Sequence, residues 1–132
     1  MVIDTSAIIA ILEQEAEGPA FLGLVESADS RCMSVASLVE ASIIAERSRG
    51  ALGVGLLDEF ISSAGIHLIG VDLEQARLAR KAFSRFGKGR HAAGLNFGDC
   101  FAYALAKTLG EPLLCKGADF ARTDVALATS PQ

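Results

Sequence analysis

The chain has 132 residues, of which 51% are hydrophobic, which suits one packed domain and excludes an intrinsically disordered chain. No apolar run approaches the roughly 18 residues of a membrane-spanning helix, and the chain does not open with a basic signal segment. We therefore expect a cytoplasmic protein that does not enter a membrane. Three cysteines without C-x-x-C spacing argue against a disulfide framework and a structural zinc site.

Charge is unevenly distributed along the chain. Residues 1–66 contain ten acidic and three basic residues, a net charge of −7, whereas residues 67–132 contain six acidic and nine basic residues, a net charge of +3. Between Gln75 and Gly98 there are six basic residues and no acidic one. This segment predicts a surface that can meet a polyanion.

The first half of the chain alternates short apolar runs with helical patterns. Met1–Asp4 predicts a strand that ends in an acid, and a helix follows over Ile8–Leu12. Pro19 lies where the first turn of a second helix tolerates proline, and that helix is predicted to end near Ala28. Cys32–Val35 predicts a second short strand.

A third helix begins after this strand, with Ser34 or Ser37 as its cap. It is predicted to run to Arg49, where Gly50 suits a left-handed position after the helix, and a further helix ends near Gly65. The second half of the chain continues the alternation. Its predicted elements are a buried strand over Ile66–Val71, a helix capped by Asp72 and ending at Gly87, a helix from about Gly98 to Leu109, a strand over Pro112–Cys115 and a candidate final strand over Val125–Ala128.

These elements predict the fold class. Short apolar strands that alternate with helices, without the turn signals of hairpins, are typical of an α/β fold with a parallel sheet and helices on both faces. We expect residues 1–132 to form a single domain of this kind.

Acidic residues fall where such a sheet binds ligands. Ligands bind beyond the carboxyl ends of parallel strands, and four acids follow predicted strands or begin the helices after them: Asp4, Glu40, Asp99 and Asp119. Each one alone has a plainer explanation, because an acid near a helix N-terminus stabilises the helix by roughly 0.3–1 kcal/mol. Taken together, they predict one acidic rim.

Several converging carboxylates repel one another and raise each other's pKa unless a cation is present. Oxygen ligands without a nearby His or Cys favour Mg²⁺ or Mn²⁺ over zinc. Such an ion polarises a phosphoryl oxygen and lowers the pKa of a bound water, which is the chemistry of phosphodiester hydrolysis. The acidic rim therefore predicts a metal-dependent hydrolase.

Two alternatives remain open at this point. A phosphatase of the haloacid dehalogenase type also begins with a strand and an aspartate, but its mechanism requires Asp-x-Asp, and Ser6 stands at the position of the second acid. The other alternative is a regulatory or binding module whose acidic pocket binds a metal without hydrolysing a phosphodiester.

The chain resembles a PIN-domain protein of the VapC toxin type over essentially its whole length. Four segments carry the resemblance in the family's order and spacing: Val2–Ala7, Ser37-x-x-Glu40, Gly94–Cys100, and Leu113–Phe120 with Thr123-Asp124. The resemblance implies a PIN-like α/β fold and a Mg²⁺-dependent endoribonuclease in which Mn²⁺ can substitute. It further implies a homodimer that a small VapB-like antitoxin neutralises.

The resemblance also implies the site residues. Three residues match the family's acidic triad: Asp4, Glu40 and Asp99. The loop before Asp119 lacks the acid or amide that often precedes the family's Asp-Phe pair, so Asp119 is the expected fourth acid and Asp124 is the alternative. Asp4 and Asp99 are expected to bind the metal, and Glu40 is expected to orient or deprotonate the attacking water.

The remaining candidates lie in the basic segment and among the histidines and cysteines. Lys88 and Arg90, on the loop that leads to Asp99, are expected to contact RNA phosphates, whereas the bases of the preceding helix are expected to be solvated. Few aromatic residues lie among these bases, which predicts little base stacking. His67 is expected to be a structural residue of a buried strand. Cys100 has no histidine at helical spacing and is not expected to be a nucleophile.

Overall fold

The computed structural model describes residues 1–128 and contains a sheet of four parallel strands in the order β3-β2-β1-β4. The strands are β1 (Val2–Ile3), β2 (Cys32–Ser34), β3 (His67–Ile69) and β4 (Leu113–Leu114). Val2 is in register with Cys32 on one side and with Leu113 on the other. The parallel sheet expected from the sequence is confirmed.

Five helices surround this sheet. They are α1 (Thr5–Leu12), α2 (Gly18–Ser27), α3 (Val35–Ser63), α4 (Leu73–Phe86) and α5 (Phe97–Leu109), and a short 3-10 helix covers Phe120–Arg122. Among residues 1–128, no helix is both long enough and apolar enough to cross a membrane.

The two faces of the sheet pack against separate hydrophobic cores. Successive side chains of a strand point to opposite faces, so Val2 and Leu113 join the core formed with α4 and α5, whereas Ile3 and Leu114 join the core formed with α1, α2 and α3. Helices therefore cover both faces, as expected. The same alternation places Asp4, the extended residue that directly follows β1, on the face that α5 covers, and this placement positions the acidic site.

The third helix consists of two helical segments. Arg49 and Gly50 have non-helical backbone angles inside α3, and Gly50 has a φ of 60°, which a residue with a Cβ rarely adopts. The break predicted at this position is confirmed. Of the two candidate caps, Ser34 caps the helix, because its Oγ accepts a hydrogen bond from the Ala36 N–H at 3.2 Å.

The prediction of a buried strand over Ile66–Val71 is wrong. β3 spans only His67–Ile69 and lies at the edge of the sheet, paired with β2 alone among the described strands. His67 and Leu68 are exposed, so the structural role expected for His67 in a buried strand is also wrong. An apolar run does not reveal how much of it a neighbouring element covers.

The candidate final strand over Val125–Ala128 is reduced to one bridge. Leu127 pairs with Leu113 in parallel, through hydrogen bonds of 2.9 Å from the Leu113 N–H to the Ala126 carbonyl and from the Ala128 N–H to the Leu113 carbonyl. This bridge holds the chain after the 3-10 helix against β4.

Candidate active site

Asp4 lies at the carboxyl end of the central strand β1. Its backbone N–H continues the sheet ladder with a 2.9 Å hydrogen bond to the Leu114 carbonyl, and its side chain caps α1. Oδ2 accepts hydrogen bonds from the Ser6 N–H at 3.1 Å and from the Ser6 hydroxyl at 2.6 Å. Only 3% of Asp4 is exposed, and its other oxygen, Oδ1, has no hydrogen-bond partner among the residues that the structure describes. Such an orphaned buried oxygen is costly, and it marks a position where a cation is favourable.

The electrostatics of Asp4 show that other acids act on the same region. Burial raises the pKa of Asp4 from 3.8 to about 6, even though the two hydrogen bonds from Ser6 lower it. The carboxylates of Asp99 and Glu40 raise the pKa of Asp4 further. Burial also raises the pKa of Asp99, and Glu40 and Asp119 add to that effect. Each of the four expected acids therefore lies close enough to at least one other for its carboxylate to influence a pKa in this region.

Asp99 is held by the first turn of α5. The Asn96 side-chain carbonyl accepts a hydrogen bond from the Asp99 N–H at 2.9 Å, and Asp99 Oδ2 accepts one from the Asn96 N–H at 2.9 Å. This reciprocal pair is a capping box, which satisfies two N–H groups that the helix start leaves free. The plainer explanation for Asp99 is thus also true, and the cap fixes the orientation of its carboxylate.

Glu40 approaches the same helix start from α3. A Cβ atom built on Gly98 would overlap the Glu40 carboxylate, so a larger residue at this position would displace that carboxylate from where it lies. Gly98 directly precedes Asp99, and the contact therefore brings Glu40 beside the Asp99 turn. Sequence reasoning missed the role of Gly98, and its position next to Asp99 in the motif was the available signal.

Asp119 lies near the other acids, because it acts on the same neighbouring thiol, that of Cys115, as Asp4 and Asp99 do. Cys115 follows β4 as Asp4 follows β1, so the two residues lie side by side at the carboxyl end of the sheet. The pKa of the Cys115 thiol is raised to about 12, chiefly by burial and then by Asp4, Asp99 and Asp119. Asp119 itself is exposed and precedes Phe120, whose side chain is buried in the core as the sequence suggested.

Asp124, the alternative fourth acid, has a different environment. Its Oδ1 accepts a 2.5 Å hydrogen bond from the Tyr103 hydroxyl, and its Oδ2 accepts weaker ones from Arg85 at 3.3 Å and Lys107 at 3.4 Å. The Tyr103 hydrogen bond and these two cations lower the pKa of Asp124. Its carboxylate ties the end of the chain to α4 and α5.

A hydroxyl links Asp4 to the loop after β4. Ser6 Oγ, which donates to Asp4, accepts a hydrogen bond from the Lys116 N–H at 2.9 Å. The Lys116 ammonium forms ion pairs with Glu15 at 2.9 Å and Glu17 at 3.5 Å. The loop that carries Asp119 is thereby bonded to the first turn of α1 and to the segment between α1 and α2.

The donor set suits a hard divalent cation. The acids supply only oxygen atoms, and the Oδ1 of Asp4 has its lone pairs free in a buried position. In the arrangement that residues 1–128 adopt, no three Asp, Glu, His or Cys side chains are placed to hold one ion. The residues fit Mg²⁺ or Mn²⁺ by chemistry and by the orphaned oxygen.

The other candidates divide into a buried thiol and two exposed bases. Cys100 is buried, and burial together with Asp99 raises the pKa of its thiol to about 11, which disfavours the thiolate a nucleophile requires. Lys88 and Arg90 are exposed on the loop between α4 and α5. Their contact with RNA stays a prediction.

The fold and the acidic site together define a recognisable class of protein. The family model described as "PIN domain" matches residues 1–126. That match includes all four strands and every candidate acid. The PIN-like fold inferred from the resemblance is thus confirmed.

Curated relatives narrow the class. The chain is 51% identical over 126 residues to a "Ribonuclease VapC" of Mycolicibacterium smegmatis, with 96% of this chain and 98% of the relative covered. It is 47% identical over 131 residues to "Ribonuclease VapC30" of Mycobacterium tuberculosis, covering 99% and 100% of the two chains. The chain belongs to the VapC group of the PIN-domain family.

Two solved structures share the fold at low sequence identity. The M. tuberculosis toxin VapC20, described as cleaving the sarcin-ricin loop, superposes with a TM-score of 0.79 at 16% identity and covers 96% of this chain and 97% of its own. A toxin-antitoxin complex from Klebsiella pneumoniae gives a TM-score of 0.74 at 15% identity, covering 96% of this chain and 95% of the matched chain. These two likenesses support the fold alone.

Proposed function

We propose that the protein is a Mg²⁺- or Mn²⁺-dependent endoribonuclease and the toxin of a type II toxin-antitoxin pair. The observation that carries the proposal is the buried Asp4, whose unpartnered Oδ1 lies in the field of Glu40 and Asp99. A site of this kind is unfavourable without a cation. The VapC relatives named as ribonucleases support RNA as the substrate.

The chain's residues have distinct roles in the proposed reaction. Asp4 and Asp99 would hold the ion, with Asp119 binding it directly or through water. When bound, the ion polarises the phosphate and lowers the pKa of a water. Glu40, accommodated by Gly98, orients or deprotonates the attacking water. Because water is the nucleophile, the 2′-hydroxyl of the RNA does not attack, and no cyclic phosphate forms.

Labelled RNA tests this function directly. Incubation with Mn²⁺ should yield discrete fragments without 2′,3′-cyclic phosphate ends, and Glu40→Gln should suppress them. A protein that binds Mn²⁺ but leaves every RNA intact is the binding module considered above. Release of phosphate from small phosphomonoesters, with no effect on RNA, would instead favour the phosphatase.

The exposed bases of the loop give a prediction about salt. Changing Lys88 and Arg90 together to Glu should weaken RNA binding and flatten its dependence on salt, because fewer counterions are released. For two lost phosphate contacts, the slope of log K against log salt should fall by about 1.4–1.8. Affinity measured from 50 to 300 mM salt checks this, with Arg47→Glu and Arg49→Glu on α3 as the matched control. An unchanged slope for the loop variant would return both residues to the solvated surface.

A partner protein is the second element of the proposal. We expect a VapB-like antitoxin to place a basic side chain in the acidic cleft and to cover the helical segments Ile8–Leu12 and Leu38–Ile44. The structure supports the second segment, because Val39 and Ile43 of α3 are large apolar residues that are 59% and 44% exposed. In the first segment, Ile8 and Ala10 are fully buried and cannot contact a partner. Two solved neighbours are a toxin-antitoxin complex and a FitAcB structure from Neisseria gonorrhoeae.

Growth of a host strain tests the partner. The protein induced alone should arrest growth, and co-expression of its neighbouring small gene should relieve the arrest. Relief should weaken when Val39 and Ile43 are both changed to Asp, with Leu52→Asp on the same helix as the control. Failure of every adjacent small gene to restore growth would count against a toxin.

Assembly and location complete the proposal. The resemblance implies a homodimer, and light scattering on the purified protein measures its mass. We propose that the protein acts in the cytoplasm, where its RNA substrate and its antitoxin are made.

A further inference from the structure

A groove between α4 and α5 opens next to the acidic site. It encloses about 370 Å³, and its principal lining residues are Arg80 and Phe83 of α4 and Phe97, Cys100 and Phe101 of α5. The lining is almost entirely apolar apart from Arg80. Cys100 directly follows Asp99, so the groove and the proposed catalytic centre share the first turns of α5.

Aromatic rings form the wall of this groove. Phe97 is 79% exposed, and its ring meets that of Phe101 edge to face with centroids 4.9 Å apart. Phe83 faces them from α4 and is 38% exposed. Little base stacking was predicted because few aromatic residues lie within the basic segment of the sequence. In the folded chain, however, three rings from two helices, Phe83, Phe97 and Phe101, line one groove.

Positive charge surrounds the rings. The Arg80 side chain lines the groove, and the Arg90 guanidinium carbon lies 5.9 Å from the centroid of the Phe83 ring. No acidic residue occurs between Gln75 and Gly98, the segment that supplies α4 after its first turn and the loop that follows it. An occupant that combines a flat apolar face with negative charge complements this surface.

We propose that this groove binds an unpaired base of the RNA substrate, an inference that rests on the proposed ribonuclease function. The base stacks on Phe97 and Phe83, and the flanking phosphates meet Arg80 and Arg90. Stacking on exposed aromatic rings beside cations is how proteins hold single-stranded nucleic acid. A base inside a helix cannot enter the groove, so the enzyme selects a cleavage site next to an unpaired nucleotide.

A second copy of the chain is a poorer occupant. In a two-fold symmetric interface the same surface patch meets itself. Burying the groove in this way would bring Arg80 and Arg90 against the same residues of the other copy, and no acidic side chain among residues 1–128 lines the groove to compensate. RNA supplies the missing negative charge with every nucleotide.

Fluorescence of a reporter base tests the groove. The probe is a single-stranded oligonucleotide that contains 2-aminopurine, measured in EDTA so that it is bound and not cleaved. The wild type should quench its emission by stacking, and Phe97→Ala should reduce the quenching and weaken binding at least about fivefold. Phe97→Trp should retain both effects. Leu52→Ala, at a 66% exposed apolar position on α3, is the control that should change neither.

Two controls accompany this experiment. One is binding to a fully paired duplex of the same sequence, and the other is the mass of each variant in solution. The wild type and Phe97→Ala should bind the duplex equally and should have the same mass by light scattering. Unchanged affinity of Phe97→Ala for the single strand overturns the proposal, and so does a change in mass, which assigns the groove to a subunit interface. If the wild type cleaves RNA but Phe97→Ala does so equally well, only the groove assignment fails; if the wild type neither binds nor cleaves RNA, the ribonuclease function fails too.

Discussion

Asp4→Asn and Asp99→Asn are each expected to lower metal-dependent RNA cleavage at least about 100-fold while the protein stays folded. Each change removes a charged oxygen from the acid cluster and preserves side-chain shape. In Asp99→Asn, the carbonyl oxygen of the new amide can still accept the hydrogen bond from the Asn96 N–H, so the start of α5 is retained. Cleavage of labelled RNA with Mn²⁺ measures the loss, and circular dichroism confirms the fold. Full activity in Asp99→Asn would contradict the mechanism.

Stability against pH provides an independent control for Asp4. The pKa of Asp4 is raised from 3.8 to about 6 in the folded protein, so the folded state keeps a proton that the unfolded state releases between these values. Wild-type stability therefore falls as pH rises through this window, by about 3 kcal/mol in total. Asparagine does not titrate. In a chelator, the stability of Asp4→Asn relative to the wild type should rise by about that amount from pH 4 to pH 7.

Metal binding distinguishes the two variants from the wild type by another route. A ligand that binds only the folded state raises the melting temperature of the protein. Mn²⁺ should therefore raise the melting temperature of the wild type more than that of Asp4→Asn or Asp99→Asn. Equal increases in all three proteins would place the ion elsewhere.

The fold and the acids were largely predictable because they follow local rules. The apolar runs at β1, β2 and β4 lie between helical patterns, and the parallel sheet follows from that alternation. The rule that ligands bind beyond the carboxyl ends of strands then selected Asp4. The capping box that Asn96 and Asp99 form at the start of α5 was not predicted, although the spacing of three is visible in the sequence.

The features that the sequence did not reveal depend on contacts between distant segments. The sequence of β3 predicts a buried strand, but its position at the edge of the sheet depends on which strands pair with it. The space that Gly98 leaves for Glu40 requires α3 and α5 to meet, and the aromatic groove requires α4 to face α5. Periodicity reports the buried side of an element but does not identify its neighbours.

The fourth acid shows how three-dimensional contacts resolve an ambiguity that spacing leaves open. Asp119→Asn is expected to reduce turnover at least about tenfold and to raise the Mn²⁺ concentration for half activity, because Asp119 acts electrostatically on Asp99 and on Cys115 at the site. Asp119 is exposed and its side chain makes no hydrogen bond to cap the 3-10 helix, so its loss should leave the melting temperature unchanged.

Asp124→Asn should have the opposite profile. It removes the charge that accepts hydrogen bonds from Tyr103, Arg85 and Lys107, and we expect a stability loss on the order of 1 kcal/mol with turnover retained. The pKa of Asp124 is lowered in the folded protein, so this contribution is present above the unfolded value near 3.8 and is lost as pH falls from there through the lower folded-state pKa. The stability difference between the wild type and Asp124→Asn should therefore be smaller at pH 3 than at pH 7. Loss of catalysis in Asp124→Asn with an unchanged melting temperature, together with an active Asp119→Asn, would reverse the assignment and show that the carboxylate leaves its Tyr103 partner to complete the acidic site.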